Sequence, residues 1–111
     1  MATLGRASIV LVNFPFSDLS QTKLRPAIIL ASASKEDWIL CQITSNSHID
    51  DKAIEITDDD FVEAHFVKLV MLGREKIFTG HESLVFRRVA VVTDSKIAEI
   101  TKKVIEILQQ K

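Results

Sequence analysis

Apolar residues come in short runs parted by polar clusters, and their spacing changes character once, near residue 94. Residues 8–14 (SIVLVNF) are β-branched and nearly continuously apolar, the pattern of a buried strand, and Pro15 ends the run. Residues 17–24 read as loop from their Ser, Asp, Gln and Thr content. Residues 26–31 (PAIILA) predict a second strand opened by Arg25, with proline first, where a missing donor matters least. Residues 38–44 (WILCQIT) predict a third strand, and the alternating 53–57 (AIEIT) a fourth. Thr57 or Asp58 can cap a short helix, and the acidic run after it suits a positive N-terminal end, although that run reads mainly as solvated. Residues 66–72 (FVKLVML) predict a fifth strand with Gly73 as its turn, followed by a short KIFT strand at 76–79 and another strand at 86–92.

From Asp94 the period becomes helical. Ile97, Ile100, Thr101, Val104, Ile105 and Leu108 share one face, and Lys96, Glu99, Lys102, Lys103 and Glu106 fall largely on the other. Thr93 or Asp94 is the expected N-cap. Short strands with compact connections leave no room for the crossover helices of a parallel sheet. The expected fold is mainly β (α+β): a small β-barrel or rolled sheet with a C-terminal amphipathic helix packed on it, one domain over 1–111.

Composition narrows the function classes. The 111 residues are 47% hydrophobic and 26% charged, with a net charge of −1, so a surface coated in positive charge is excluded while a local basic groove is not. No apolar run approaches the ~20 residues of a membrane span, and the N-terminus lacks a cleavage region, so neither membrane nor signal peptide is expected. A lone cysteine, Cys41, fits a reducing compartment and reads as a buried small hydrophobe. His48, His65 and His81 are too scattered for a structural zinc site. Trp38 reads as a core or interface anchor, and of Arg87 and Arg88, alternating along a strand, one can face a groove.

No Gly-rich phosphate loop and no G-x-S-x-G elbow is present. What remains is a set of polar groups at strand ends. Arg25 precedes the second strand and Thr44, with Ser45, closes the third. If those strands are antiparallel neighbours, Arg25 and Thr44 come to the same rim, and a guanidinium fork beside a hydroxyl can clamp an oxyanion. An arginine ahead of a strand is also commonly a solvated or salt-bridged surface group.

The stretch IVLVNFPFSDLSQTKLRPAIILAS, then ILCQITSN, KIFT and the closing TDSKIAEITKKVIEIL, resembles in order and spacing the MazF/PemK/Kid toxins of bacterial type II toxin–antitoxin systems. The resemblance covers nearly the whole chain. It implies an SH3-like barrel and a cytoplasmic homodimer without metal or other cofactor. It also implies sequence-selective cleavage of single-stranded RNA, blocked by a cognate antitoxin. On this resemblance Arg25 and Thr44 are the catalytic pair. The loop 15–24, with Asp18, Ser20, Gln21 and Lys23, flanks the RNA, and Ser45 and Asn46 contact it.

Metal-free RNA cleavage can use the 2′-OH as internal nucleophile, leaving a 2′,3′-cyclic phosphate and a 5′-OH. Arg25 suits stabilisation of the phosphorane and protonation of the leaving oxygen, while Thr44 positions a nonbridging oxygen. A guanidinium is a poor base, so the 2′-OH proton goes to another group or to water, with Asp18 and His48 as candidates. The sequence departs from the family pattern at Arg6–Ala7, where G-D is usual, and at Ser20 and Gln21, where an acid is common. Ala64–His65–Phe66 replaces a glycine-rich turn, and Gly73 stands in place of an arginine. Two other readings are a non-catalytic toxin on the same barrel, poisoning DNA gyrase, and a degenerate barrel that only binds RNA or its antitoxin. The Arg25/Thr44 pair favours the enzyme, since a gyrase poison needs no phosphate clamp.

Overall fold

A computed structural model describes residues 4–15, 22–44, 54–64 and 70–109. Among them, seven strands form one antiparallel sheet: β1 (Ser8–Pro15), β2 (Thr22–Ser32), β3 (Asp37–Thr44), β4 (Ile54–Ile56), β5 (Phe61–Ala64), β6 (Val70–His81) and β7 (Val85–Val92). The spatial order is β4-β6-β3-β2-β1-β7-β5, and a single α-helix, α1 (Asp94–Leu108), ends the described chain. No helix among the described residues is long and apolar enough to cross a membrane.

Connectivity forces this sheet to curl. β4 and β5 are its opposite edges, yet only residues 57–60 separate them in sequence. In a flat sheet at about 4.8 Å per strand the edges would stand roughly 29 Å apart. Five peptide steps at about 3.8 Å each span at most ~19 Å. The edges therefore bend toward each other into a barrel-like roll, although no hydrogen-bonded ladder joins them among the described residues.

Register separates two faces. Ile9, Ile28, Cys41 and Ile77 lie level across β1, β2, β3 and β6. They belong to a core with Ile43, Ile56, Val89, Ala90 and Val92, closed by Ile97 and Ile100 of α1. Ile56 of β4 and Phe61 of β5 both pack there, so the two edges converge on the helix side. The opposite face carries Val10, Val12, Ala27, Ile29 and Leu40, covered by Leu4, Trp38, Phe78 and Val85. Burial of each Ile or Val side chain contributes about 1.5–3 kcal/mol, which makes these two clusters the main stabilising term.

The helix begins as its sequence predicts. The Thr93 hydroxyl accepts a hydrogen bond from the Lys96 backbone N–H at 3.1 Å, the N-cap geometry that satisfies an orphan donor. Lys96 itself departs from its expected polar face. It is buried, with Nζ 3.4 Å from the Asp60 carboxylate and 3.1 Å from that of Glu99. Asp60 in turn accepts from the Thr57 N–H at 2.8 Å and hydroxyl at 3.2 Å. The acidic run is thus not wholly solvated: Asp59 is exposed, while Asp60 ties the β4–β5 link to the helix.

Other boundaries move for physical reasons. β2 begins at Thr22, so Arg25 lies inside the strand rather than before it. Pro26 is tolerated there because it pairs with Leu11 on one side, while the ladder to β3 starts only at Ala27. The short helix expected after residue 57 is a single 3-10 turn, Asp58–Asp60, that leads straight into β5. Gly73 makes no turn. β6 runs through it, and the polar stretch 73–76 is absorbed as a register slip of three residues between Cys41↔Ile77 and Ile43↔Leu72.

Candidate nucleic-acid interface

β2 and β3 are antiparallel neighbours, paired as Ile29↔Leu40, Ile28↔Cys41 and Ala27↔Gln42. The ladder ends there, two residues short of Arg25 and of Thr44, the last residue of β3; the same register extended to the strand ends would set those two positions level. Because side chains alternate along a strand, Arg25 shares the face of Ala27. Across β1, Arg25 stands opposite Val12 and Lys23 opposite Phe14. Arg25 therefore falls on the sheet face opposite α1, which also carries Val12 and Ala27.

The same face receives a residue that alternation alone does not assign. β7 pairs with β1 through two register shifts, between Ile9↔Ala90 and Val10↔Arg88 and between Leu11↔Arg87 and Val12↔Val85. The first makes Val89 and Ala90 neighbours on the helix side, and both are buried in that core. It thereby turns Arg88 to the face of Val10 and Arg25, while Arg87 is exposed opposite Leu11. Bulges re-aim side chains in this way and are over-represented beside functional sites. The resulting strip reads Arg88, Val10, Ala27, Gln42 in one row and Val85, Val12, Arg25 in the next.

Arg25, Gln42 and Arg88 are each half-buried, and the Nε of Arg88 is buried outright. Both arginines take part in interactions within the protein. A strip with two half-buried guanidiniums on an apolar floor can bind a phosphate and hold it away from bulk water, where charge–charge attraction is stronger. Gln42 adds an amide able to donate and accept. Gln42 does not stand out in the sequence; one of Arg87 and Arg88 is expected to face a groove, but the register shift that makes it Arg88 has no compositional marker.

Five of the expected contact residues, Asp18, Ser20, Gln21, Ser45 and Asn46, lie outside the described residues, as does His48. Cys41 is buried in the helix-side core, and burial pushes its thiol up to about 12, so it is not a nucleophile at neutral pH. Trp38 packs over the second core, in keeping with its reading as a core anchor. Among the described residues no group of three or more His, Cys, Asp or Glu is gathered as metal ligands would be.

Many solved structures share this fold, among them three toxins or endoribonucleases. An endoribonuclease from a mycobacterial species, in complex with its cognate antitoxin, superposes with a TM-score of 0.75 at 11% identity, covering 98% of this chain and 98% of its own. A second mycobacterial endoribonuclease gives a TM-score of 0.71 at 12% identity, covering 97% of this chain and 93% of its own. The Mycobacterium tuberculosis toxin MazF-mt6 gives 0.70 at 11% identity, covering 94% and 98%. No curated protein matches the sequence. At these identities the likeness establishes fold. The family is established by the sequence model that matches residues 5–108, nearly the entire chain: the protein belongs to the PemK-like, MazF-like toxins of type II toxin–antitoxin systems.

Proposed function

We propose that this single-domain toxin is a metal-independent endoribonuclease, cleaving single-stranded RNA in the cytoplasm as a homodimer and held in check by a cognate antitoxin. In this reading the RNA 2′-OH gives its proton to water or a neighbouring base, its oxygen bonds to the adjacent phosphorus, and the P–O5′ bond breaks to leave a 2′,3′-cyclic phosphate and a 5′-OH. Arg25 neutralises the charge that builds on the nonbridging oxygens and delivers a proton toward the departing 5′ oxygen, and Thr44 donates a hydrogen bond that fixes the phosphate for in-line attack. Asp18, Ser20, Gln21, Lys23, Ser45 and Asn46 contact the strand on either side. Two relatives of the same fold are endoribonucleases, and one of them is bound to its antitoxin.

The observation that carries the reading is register. The β2–β3 ladder runs to Ala27↔Gln42, and the same register extended by two residues would make positions 25 and 44 neighbours, which supports the reading. A residue so situated needs a planar, permanently charged fork to span two phosphate oxygens, which lysine lacks. Purified protein incubated with mixed RNA in EDTA is expected to yield fragments with 5′-OH and 2′,3′-cyclic phosphate ends. Arg25→Ala and Thr44→Ala are each expected to lower the rate by about 10²–10³-fold, the scale of one lost oxyanion donor. Intact RNA with wild-type protein, or near-full turnover by Arg25→Lys, overturns the proposal. Trapping of DNA gyrase on DNA alongside intact RNA would assign the barrel to a non-catalytic poison.

A further inference from the structure

An apolar pocket of about 230 Å³ opens between α1 and the sheet. Leu30, Ile39 and Ile77 line it from the sheet, and Val104, Ile105 and Leu108 from the last turns of the helix. The polar group in its wall is the Thr101 hydroxyl, which is satisfied in both directions. It donates to the Ile97 carbonyl at 2.7 Å and accepts from a terminal guanidinium nitrogen of Arg6 at 2.9 Å. Arg6 is exposed, so that contact puts a cation at the rim of a cavity that is otherwise hydrocarbon. Its place is held from both sides. The Gly5 carbonyl accepts from the Ser8 N–H. Ala7, buried in the helix-side core, donates to the Ile29 carbonyl of β2 and accepts from the Val92 N–H of β7.

A hydrocarbon cavity with one cation at its edge selects for a ligand divided in the same way. We propose that the pocket is a site for a medium-chain alkyl carboxylate, its chain between α1 and the sheet and its carboxylate on the fork of Arg6. Volume sets the chain length: an apolar cavity of about 150 Å³ takes a six-carbon ring, so this one takes about eight to ten carbons. Charge sets the head group, because a guanidinium pairs with a carboxylate through parallel N–H···O bonds. The walls argue against a peptide. β3, which forms the floor, has a strand on either side, and the Thr101 hydroxyl is already paired. A peptide backbone buried there would find no partners for its amides, whereas an alkyl chain has none to satisfy. The pocket lies on the helix side, away from the Arg25 strip, so the site is independent of the endoribonuclease reading.

The test titrates the full chain, methyl-labelled at Ile, Leu and Val, with hexanoate, octanoate, decanoate and dodecanoate kept below micelle formation, and follows methyl NMR shifts. The expected shifts centre on Leu30, Ile39, Ile77 and Val104. Affinity should rise about fourfold per added methylene, the transfer gain of one buried CH₂, and level off at about ten carbons. Arg6→Met is expected to weaken decanoate about threefold, the scale of one exposed ion pair, and to leave decanol unchanged. Ala31→Leu, which fills the pocket from β2, is expected to abolish binding while melting no lower than wild type. Ile105→Asp alters a half-exposed wall residue, spares the fold, and is expected to weaken decanoate at least about tenfold. Equal affinity of wild type and Arg6→Met for decanoate, or decyltrimethylammonium binding as tightly as decanoate, overturns the head-group assignment and the proposal with it. Shifts spread over the whole chain, or affinity indifferent to chain length, mean surfactant-like binding and do the same. If the pocket methyls shift with protein concentration alone, a second copy fills the cavity. If the peptide acetyl-EELLEE-amide binds there more tightly than decanoate, the pocket is a protein-docking groove. Either of these last results also overturns the proposal.

Discussion

Replacing Asp60 with alanine tests how the rolled sheet is held shut. The Asp60 carboxylate accepts hydrogen bonds from the Thr57 N–H at 2.8 Å and hydroxyl at 3.2 Å, and stands 3.4 Å from the buried Lys96 ammonium. Hydrogen bonds to a charged group contribute about 1.5–3 kcal/mol each, and stripping a buried charge of its partner costs about 3–5 kcal/mol. Lys96 keeps Glu99 at 3.1 Å, but that carboxylate is exposed, so it compensates only in part. The expected loss for Asp60→Ala is therefore about 2–3 kcal/mol at pH 7, which lowers the melting temperature of a domain this size by roughly 10 °C. Burial raises the Asp60 carboxyl, but the Thr57 N–H and the Lys96 charge outweigh it and hold the group below its usual 3.8. A carboxyl depressed in the folded state stabilises fully above the unfolded pKa, and that contribution disappears as pH falls through the folded one. Urea unfolding of both proteins should show a constant gap from pH 7 down to about pH 5 that narrows below the ordinary carboxylate value. A gap under ~0.5 kcal/mol, or one that does not change on acidification, would mean that Glu99 alone satisfies Lys96 and that the link between the sheet edges carries no electrostatic clamp.

Other expectations follow from single contacts. Ala7 is a buried residue with φ of 81°, a left-handed conformation that a β-branched side chain tolerates poorly, so Ala7→Val should cost at least ~2 kcal/mol in urea melts whereas Ala7→Gly should be nearly neutral. Ile100 has no exposed surface in the helix-side core, and Ile100→Ala should cost about 3–4 kcal/mol, more than Leu108→Ala, whose side chain is largely exposed and should cost under ~0.5 kcal/mol. Cys41, buried with its thiol raised to about 12, should resist a thiol reagent at pH 8 in the native state and react at once in denaturant. Rapid native labelling would show that the β3 face opens far more often than its packing allows.

What was legible in the chain is what alternation and period encode. The apolar runs at 8–14 and 38–44 specify β1 and β3 because their side chains are buried on both sheet faces, and the period change at residue 94 marks α1 because Ile97 and Ile100 need one common side. What escaped were positions where a tertiary partner overrides local chemistry. Lys96 looks like a solvent-facing residue until Asp60, 36 residues earlier by numbering, arrives beneath it through the closing of the sheet. Residues 73–76 read as a turn because glycine and three charged residues interrupt an apolar pattern, yet β3 and β6 pair on both sides of them, and a bulge costs less than abandoning the ladder. The candidate site divides along the same line. Arg25 and Thr44 could be matched by counting, since antiparallel neighbours return to the same level. Arg88 could not be told from Arg87, because the one register shift between Ala90 and Arg88 decides which of the two shares the face of Val10, and a shift of one residue moves every later side chain across the sheet. The stretch that looks least orderly in pairing is therefore the one that sets which cations can meet a nucleic acid. Deleting Phe86 makes this concrete: with the extra residue removed, Val85 stays opposite Val12, Arg87 opposite Leu11 and Arg88 opposite Val10, so both the fold and the face of Arg88 should be retained.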